Sequence, residues 1–372
     1  MKKTSICLIL LSLFIAACSS SDDSDPQGPD NFNRELLLAN MADNIVIPAF
    51  TNLQSKLSDL DVARANFINN MSQSHLDALS TAWLDAYKAW QYVEMFNIGS
   101  AELLGGNSRG FVSFYNIFPL TVSDVETGAQ TGNYDLNSSN YHDAQGFPAL
   151  DFLIHGVATG DTAPIDKFTT NANASGYVDY ITNVVAQMNA LNNSILSDWQ
   201  NSFRLTFISN TSSSATGSLN KFVNDFIFYY EKGFRANKFG IPAGNFSITP
   251  LPEKVEAFYK QDVSKELALD ALDAIEDLFN GRAFGGVSTG ESLASYLDFL
   301  DRSDLRTMIT NQFQVARQKI QVLDDNFYQQ VETDNTKMTE AYDAIQAAVV
   351  LLKVDMLQAM NISIDFVDAD GD

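Results

Sequence analysis

The stretch MTEAYDAIQAAVVLLKVDMLQA, from Met338 to Ala359, decides the fold class. Its residues Met338, Tyr342, Ile345, Val349, Leu352, Met356 and Ala359 recur at steps of four and three, which keeps one apolar stripe on one face of a helix. The same spacing returns in Ile309, Phe313, Ala316, Ile320, Leu323 and Phe327, and again in Leu76, Leu79, Trp83, Ala86, Trp90 and Val93. Runs that alternate as a strand does are scarce. The spacing predicts an all-α protein built of bundle helices.

Working outward, further helices are expected near 32–69, 147–155, 176–207, 217–238 and 252–280, and Ser74 with Asp77 stands at capping-box spacing at the start of the Leu76 stripe. The polar run TSSSATG, from Thr211 to Gly217, is the best interior break. It divides the helices into two tandem four-helix-bundle-like domains, residues 32–211 and 212–372. The region from Ile98 to Gly146, rich in Gly, Asn and Ser, reads as a long irregular loop in the first domain, a place where function concentrates.

The N-terminus carries targeting information rather than fold. Lys2 and Lys3 precede the apolar run Ile6 to Ala17, which is too short for a bilayer span and has the length of a signal-peptide core. Ile15-Ala16-Ala17-Cys18 resembles a lipobox, so residues 1–17 are expected to be removed and Cys18 to carry lipid. Residues 18–31, acidic and rich in Ser, Pro and Gly, form the expected flexible tether. Membrane attachment is then expected through the acyl chains, because no later segment reads as a transmembrane helix. That places the protein in a bacterial envelope, at the outer membrane on its periplasmic or outward face. Cys7 and Cys18 are the two cysteines, so the mature body has no disulfide and no thiolate for catalysis or metal.

Charge and motifs exclude more than they assign. With 46 acidic and 23 basic residues the net charge is -23, which repels phosphate backbones and disfavours nucleic acid as a partner. Three histidines, His75, His142 and His155, lack the one-turn pairing of a helical zinc peptidase. The best metal-ligating constellation is Asp151 with His155, four apart on one helix face, although Asp151 equally suits the first turn behind Pro148, where the helix dipole favours a carboxylate. The ending DFVDADGD, Asp365 to Asp372, lacks the closing glutamate of a calcium loop and reads as a frayed terminus. FIFYYEKGFRANKFGIPAG, Phe226 to Gly244, joins an aromatic helix face to Arg235, Lys232 and Lys238, with Glu231 and Arg235 spaced to pair. No phosphate loop and no GxSxG elbow appear.

Three segments together resemble the imelysin family of bacterial envelope proteins: Ala82 to Glu102, which ends a tryptophan-spaced helix, Gly146 to Gly156 (GFPALDFLIHG), and Tyr229 to Gly244. The likeness runs through nearly all of the mature chain. It implies two packed helical bundles with a cleft between them, an association with iron, and a peptidase label. The second segment aligns with the family signature Gly-x-His-x-x-Glu, and here the histidine is Pro148 and the glutamate is Asp151. A ring without an imidazole cannot ligate metal, so the departure argues against catalysis and toward binding, with a metallopeptidase of rebuilt metal site and a surface interaction module as the alternatives. The expected binding cleft comprises Gly146, Phe147, Pro148, Asp151, Arg235 and Lys238, with Asp151 and His155 as candidate metal ligands. Iron, another divalent metal or an iron-containing compound is the expected ligand.

Overall fold

Residues 30–106 and 109–364 are described in the computed structural model of the chain. Cys18, the export segment, nearly all of the tether and the acidic ending from Asp365 lie outside the described residues. The helices follow the apolar periodicity. In chain order the principal ones are α1 (Arg34–Asn69), α2 (Gln73–Gln91), α3 (Val122–Thr131), α4 (Gly146–His155), α5 (Ala174–Asp198), α6 (Ser218–Phe228), α7 (Ser264–Asn280), α8 (Ser303–Gln321) and α9 (Phe327–Val349). Among the described residues the sole β pairing is an isolated bridge between Arg282 and Thr289, so the fold is all-α.

Helix α1 packs on α2 and α5, and α2 packs on α4 and α7. The second half is assembled around α9, which packs on α8 and on the π-helical stretch Tyr229–Gly240 that continues α6. Buried apolar side chains from Phe32 to Ile362 form one continuous cluster, in which the deciding stripe contributes Met338, Ile345, Val349, Leu352 and Met356. Asn40 ties α1 to the second half, donating to the Gly281 and Glu291 carbonyls at 3.0 Å each.

Several expectations are corrected. Helix α2 starts two residues ahead of the capping-box reading, with Ser72 in the cap position and its hydroxyl 2.9 Å from His75 Nδ1. The stripe from Ile309 to Phe327 spans two helices, because α8 stops at Gln321 and α9 begins at Phe327, where Asn326 caps. No helix begins at 252; residues Pro252–Lys254 make one 3-10 turn, and α7 starts at Ser264 after a loop held with left-handed backbone at Ala257 (φ 58) and Gln261 (φ 68). The 98–146 region contains the ten-residue α3 and shorter turns of helix. Helix α1 is also long and apolar enough to cross a membrane, contrary to the reading of the sequence. More than half of its most apolar window, 56%, is buried within the protein, as suits a core helix.

Candidate functional site

Helix α4, the signature segment, is fixed at its start by a glycine the geometry demands. Gly146 has φ +70, and a Cβ on it would stand 2.3 Å from the Tyr115 carbonyl oxygen. Phe147 is then buried and stacked on Tyr87 at 4.4 Å, while its carbonyl accepts from the Trp83 indole at 3.2 Å. At the other end the buried Lys167 ammonium donates to the Gly156 carbonyl and lies 5.0 Å from the Phe152 ring. Burial pulls that lysine down to about 8.

Asp151 and His155 meet as their spacing predicts, at 2.8 Å between Oδ1 and Nδ1. Their surroundings are those of a clamp. Oδ1 of Asp151 also accepts from the Lys260 N–H at 2.9 Å and Oδ2 from the Tyr259 N–H at 2.8 Å, while His155 Nε2 lies 2.8 Å from the Ser80 hydroxyl. A metal ion would have to displace two backbone donors from a buried carboxylate. Ser80, His155 and Asp151 stand in the order of a nucleophile relay. Ser80 lies inside α2, however, where backbone N–H groups are committed to the helix and leave no pair to receive an oxyanion. Among the described residues no three His, Cys, Asp or Glu side chains gather as a metal site needs.

Pro148 and Asp151 line one hollow with Phe118, Glu253 and Tyr259. The loop that closes it runs on to a second, deeper arrangement that sequence reasoning missed apart from Lys238. Glu256, three residues before Tyr259, receives Lys238 Nζ at 2.5 Å, and Lys238 also donates to Gln91 Oε1 at 2.8 Å. Asn116 Nδ2 donates to Glu256 Oε1 at 3.0 Å and approaches the two oxygens of Glu94 at 3.4 and 3.5 Å. Tyr87 joins the two sites, its ring on Phe147 and its hydroxyl donating to Asn116 Oδ1 at 2.6 Å.

All of these side chains are buried. Burial pushes the Glu94 carboxyl up to about 7; Lys238 pulls it down, Glu256 raises it, and Asn116 and Trp90 lower it. Tyr229 is held well above its ordinary value by burial and by the charges of Glu94 and Glu256, and its hydroxyl has no hydrogen-bond partner among the described residues. Glu94, Asn116 and Tyr229 line the inner part of a pocket of about 470 Å³, counting its open mouth, with Met95, Val112, Ile117 and Phe228 as apolar wall. Arg235 is elsewhere: it bonds Tyr342 at 3.2 Å and Gln346 on α9, and lies over the Phe246 ring.

Glu94 falls within the segment Ala82 to Glu102 that carries the family resemblance, so a signal for it existed. Glu256 had none, being one charge in a stretch expected to be helical.

A helical protein with a pocket beside a degenerate signature helix is the class these features define. The imelysin family model, which carries a peptidase label, matches residues 46–354, and the chain belongs to the imelysin family. Two solved structures are similar in fold. One is a protein from Parabacteroides distasonis described as an iron-regulated protein A precursor, with TM-score 0.69, 16% identity, and coverage of 89% of this chain and 96% of that one. The other is an imelysin-like protein from Psychrobacter arcticum, with TM-score 0.66, 16% identity, and coverage of 90% and 97%. No curated protein matches the chain.

Proposed function

We propose that this chain is a non-catalytic, ligand-binding imelysin-like lipoprotein, anchored in the bacterial envelope through Cys18 and working in iron uptake or its regulation. Two helical bundles, divided near residues 211 and 212, frame the binding cleft. The observation that carries the reading is the pocket itself: a buried hydroxyl without a partner among the described residues, Tyr229, and the buried Glu94 carboxyl, held by long Asn116 contacts, stand at the inner end of a pocket with an apolar wall. Such groups cost about 1–3 kcal/mol each when left unmatched, which a ligand supplying the missing bonds recovers. The signature residues Gly146, Phe147, Pro148 and Asp151 support that pocket through Tyr87 and through the loop carrying Glu256.

The iron link comes from the description of the Parabacteroides relative. A bare ion does not fit the donor set, because Glu256 is already matched by Lys238 and, among the described residues, no imidazole or thiolate joins Glu94. An iron-containing compound recognised by its organic part agrees better with the pocket. Titration of the mature chain with haem and with ferric citrate, followed by calorimetry, tests this. The expected result is saturable binding of one of them that Val112→Trp, which fills the pocket, removes. Chelator-sensitive peptide cleavage by the purified chain would instead favour a peptidase with a rebuilt metal site.

A further inference from the structure

We infer that the pocket accepts a singly charged ammonium group, a primary amine on an apolar stem, bound between the Glu94 carboxylate and the Tyr229 hydroxyl. The inference rests on the pocket being the ligand site and adds which chemistry it reads.

Charge is the first ground. The buried cluster holds Glu94, Glu256 and one lysine, Lys238, and Lys238 is committed to Glu256 at 2.5 Å with both side chains 2% exposed. With Glu94 ionised the buried cluster therefore holds one more negative than positive charge, while Arg109, Lys232 and Asp225 stand further out on the pocket wall. A monocation neutralises the buried charge, whereas a dication would leave an excess positive charge in the same low-dielectric space.

Hydrogen bonding is the second. Glu94 is held by long Asn116 contacts at 3.4 and 3.5 Å, and Tyr229 Oη has no partner among the described residues. An ammonium brings three donors and no acceptor, which suits two oxygens of this kind. The Asn116 carbonyl is already taken by Tyr87, so it does not compete. Shape is the third: Met95, Val112, Ile117 and Phe228 provide an apolar passage for an alkyl stem. Arg109, Asp225 and Lys232 also line the pocket and have contacts of their own.

Binding of an ammonium requires ionised Glu94, whose charged neighbours are Lys238 and Glu256. Affinity should therefore rise as pH increases through about 7.

The test is calorimetric titration of the full mature chain with n-hexylamine, n-hexanol and hexanoate at pH 6 and pH 8. Saturable amine binding is expected at pH 8, weaker by roughly tenfold at pH 6 and in Glu94→Gln, severalfold weaker in Tyr229→Phe, and absent in Val112→Trp. Hexanol should bind at least about tenfold more weakly than the amine. Equal binding of alcohol and amine, preference for hexanoate, or amine binding untouched by Glu94→Gln overturns the inference. So does displacement of the amine by ferrous ion, which would make the carboxylates a metal site. If haem or ferric citrate still binds in a Val112→Trp-sensitive manner, the inference alone has failed. If no probe responds to Val112→Trp, the pocket reading fails with it.

Discussion

Lys238 Nζ and Glu256 Oε2 lie 2.5 Å apart in the protein interior, bringing together the π-helical continuation of α6 and the loop that precedes α7. A pair this deeply buried is weak evidence of net stabilisation, because each ion loses its hydration on folding. Breaking it from one side is another matter. Lys238→Met should destabilise the protein by about 3–5 kcal/mol, since Glu256 is left as an uncompensated buried charge. The double variant Lys238→Met with Glu256→Gln should recover a large part of that loss. Urea unfolding of the three proteins measures both steps, and a double variant as unstable as the single one would show that the pair is not an isolated unit.

Asp151 holds the same loop from its other end. Its carboxylate accepts the Tyr259 and Lys260 N–H groups, and between them and Glu256 the backbone passes through Ala257 at φ 58. Left-handed backbone at a residue with a side chain costs on the order of 1–2 kcal/mol and persists only when its surroundings impose it. Asp151→Asn replaces one acceptor with a donor that faces an N–H. We expect a loss of about 2–3 kcal/mol from the charge-assisted bonds. The amides of Tyr259 and Lys260 should also exchange hydrogen faster than those of α4. Unchanged protection at those two amides would remove the clamp reading of Asp151.

Most of the helices could be read from the sequence because burial on one helical face imposes a period, and the period survives in a single chain. Met338 to Met356 is legible for that reason. The site was only partly legible. Asp151 and His155 advertise themselves by a spacing of four, and the structure brings them together, yet spacing says nothing of the Tyr259 and Lys260 amides that occupy the carboxylate. Glu256 and Asn116 come from loops, reach the site across 140 residues of sequence from each other, and leave no periodic trace. Arg235 and Lys238 illustrate the limit of sequence proximity. Three residues apart, they serve different neighbourhoods, one toward α9 and one toward Glu256, because the intervening backbone turns them to different faces.

Gly146 offers a test of the signature's surviving glycine. A methyl group there meets both an unfavourable φ of +70 and the Tyr115 carbonyl at 2.3 Å, a backbone atom that cannot swing aside. Gly132 has nearly the same backbone angle, φ +65, but open space where the Cβ would be. Gly132→Ala should therefore cost about 1 kcal/mol, the conformational part alone. Gly146→Ala should cost about 3 kcal/mol or more, because the start of α4 must move. Thermal unfolding of the pair separates strain from steric exclusion, and equal losses would mean that Tyr115 yields without penalty.

Glu94 makes stability depend on pH in a direction opposite to that of a salt-bridged acid. Its folded value, about 7, lies above the ordinary 4.5, so between those two values the native state keeps a proton that the unfolded chain releases. Stability should therefore be greatest below about 4.5 as far as this group is concerned, and decline as pH rises through the window to 7. Asp270 and Asp277, each pushed up to about 6 by burial, act with the same sign between 3.8 and 6. Urea midpoints at pH 5, 6 and 7 should fall steadily for the native sequence. In Glu94→Gln the fall between pH 6 and 7 should become shallower, since the two aspartates are half ionised at pH 6 and contribute less above it, while the fall between pH 5 and 6 persists. Parallel curves for the two proteins would show that Glu94 ionises normally despite its burial. Saturating n-hexylamine should reduce the same decline in the native protein, because its ammonium stabilises the ionised carboxyl in the folded state only.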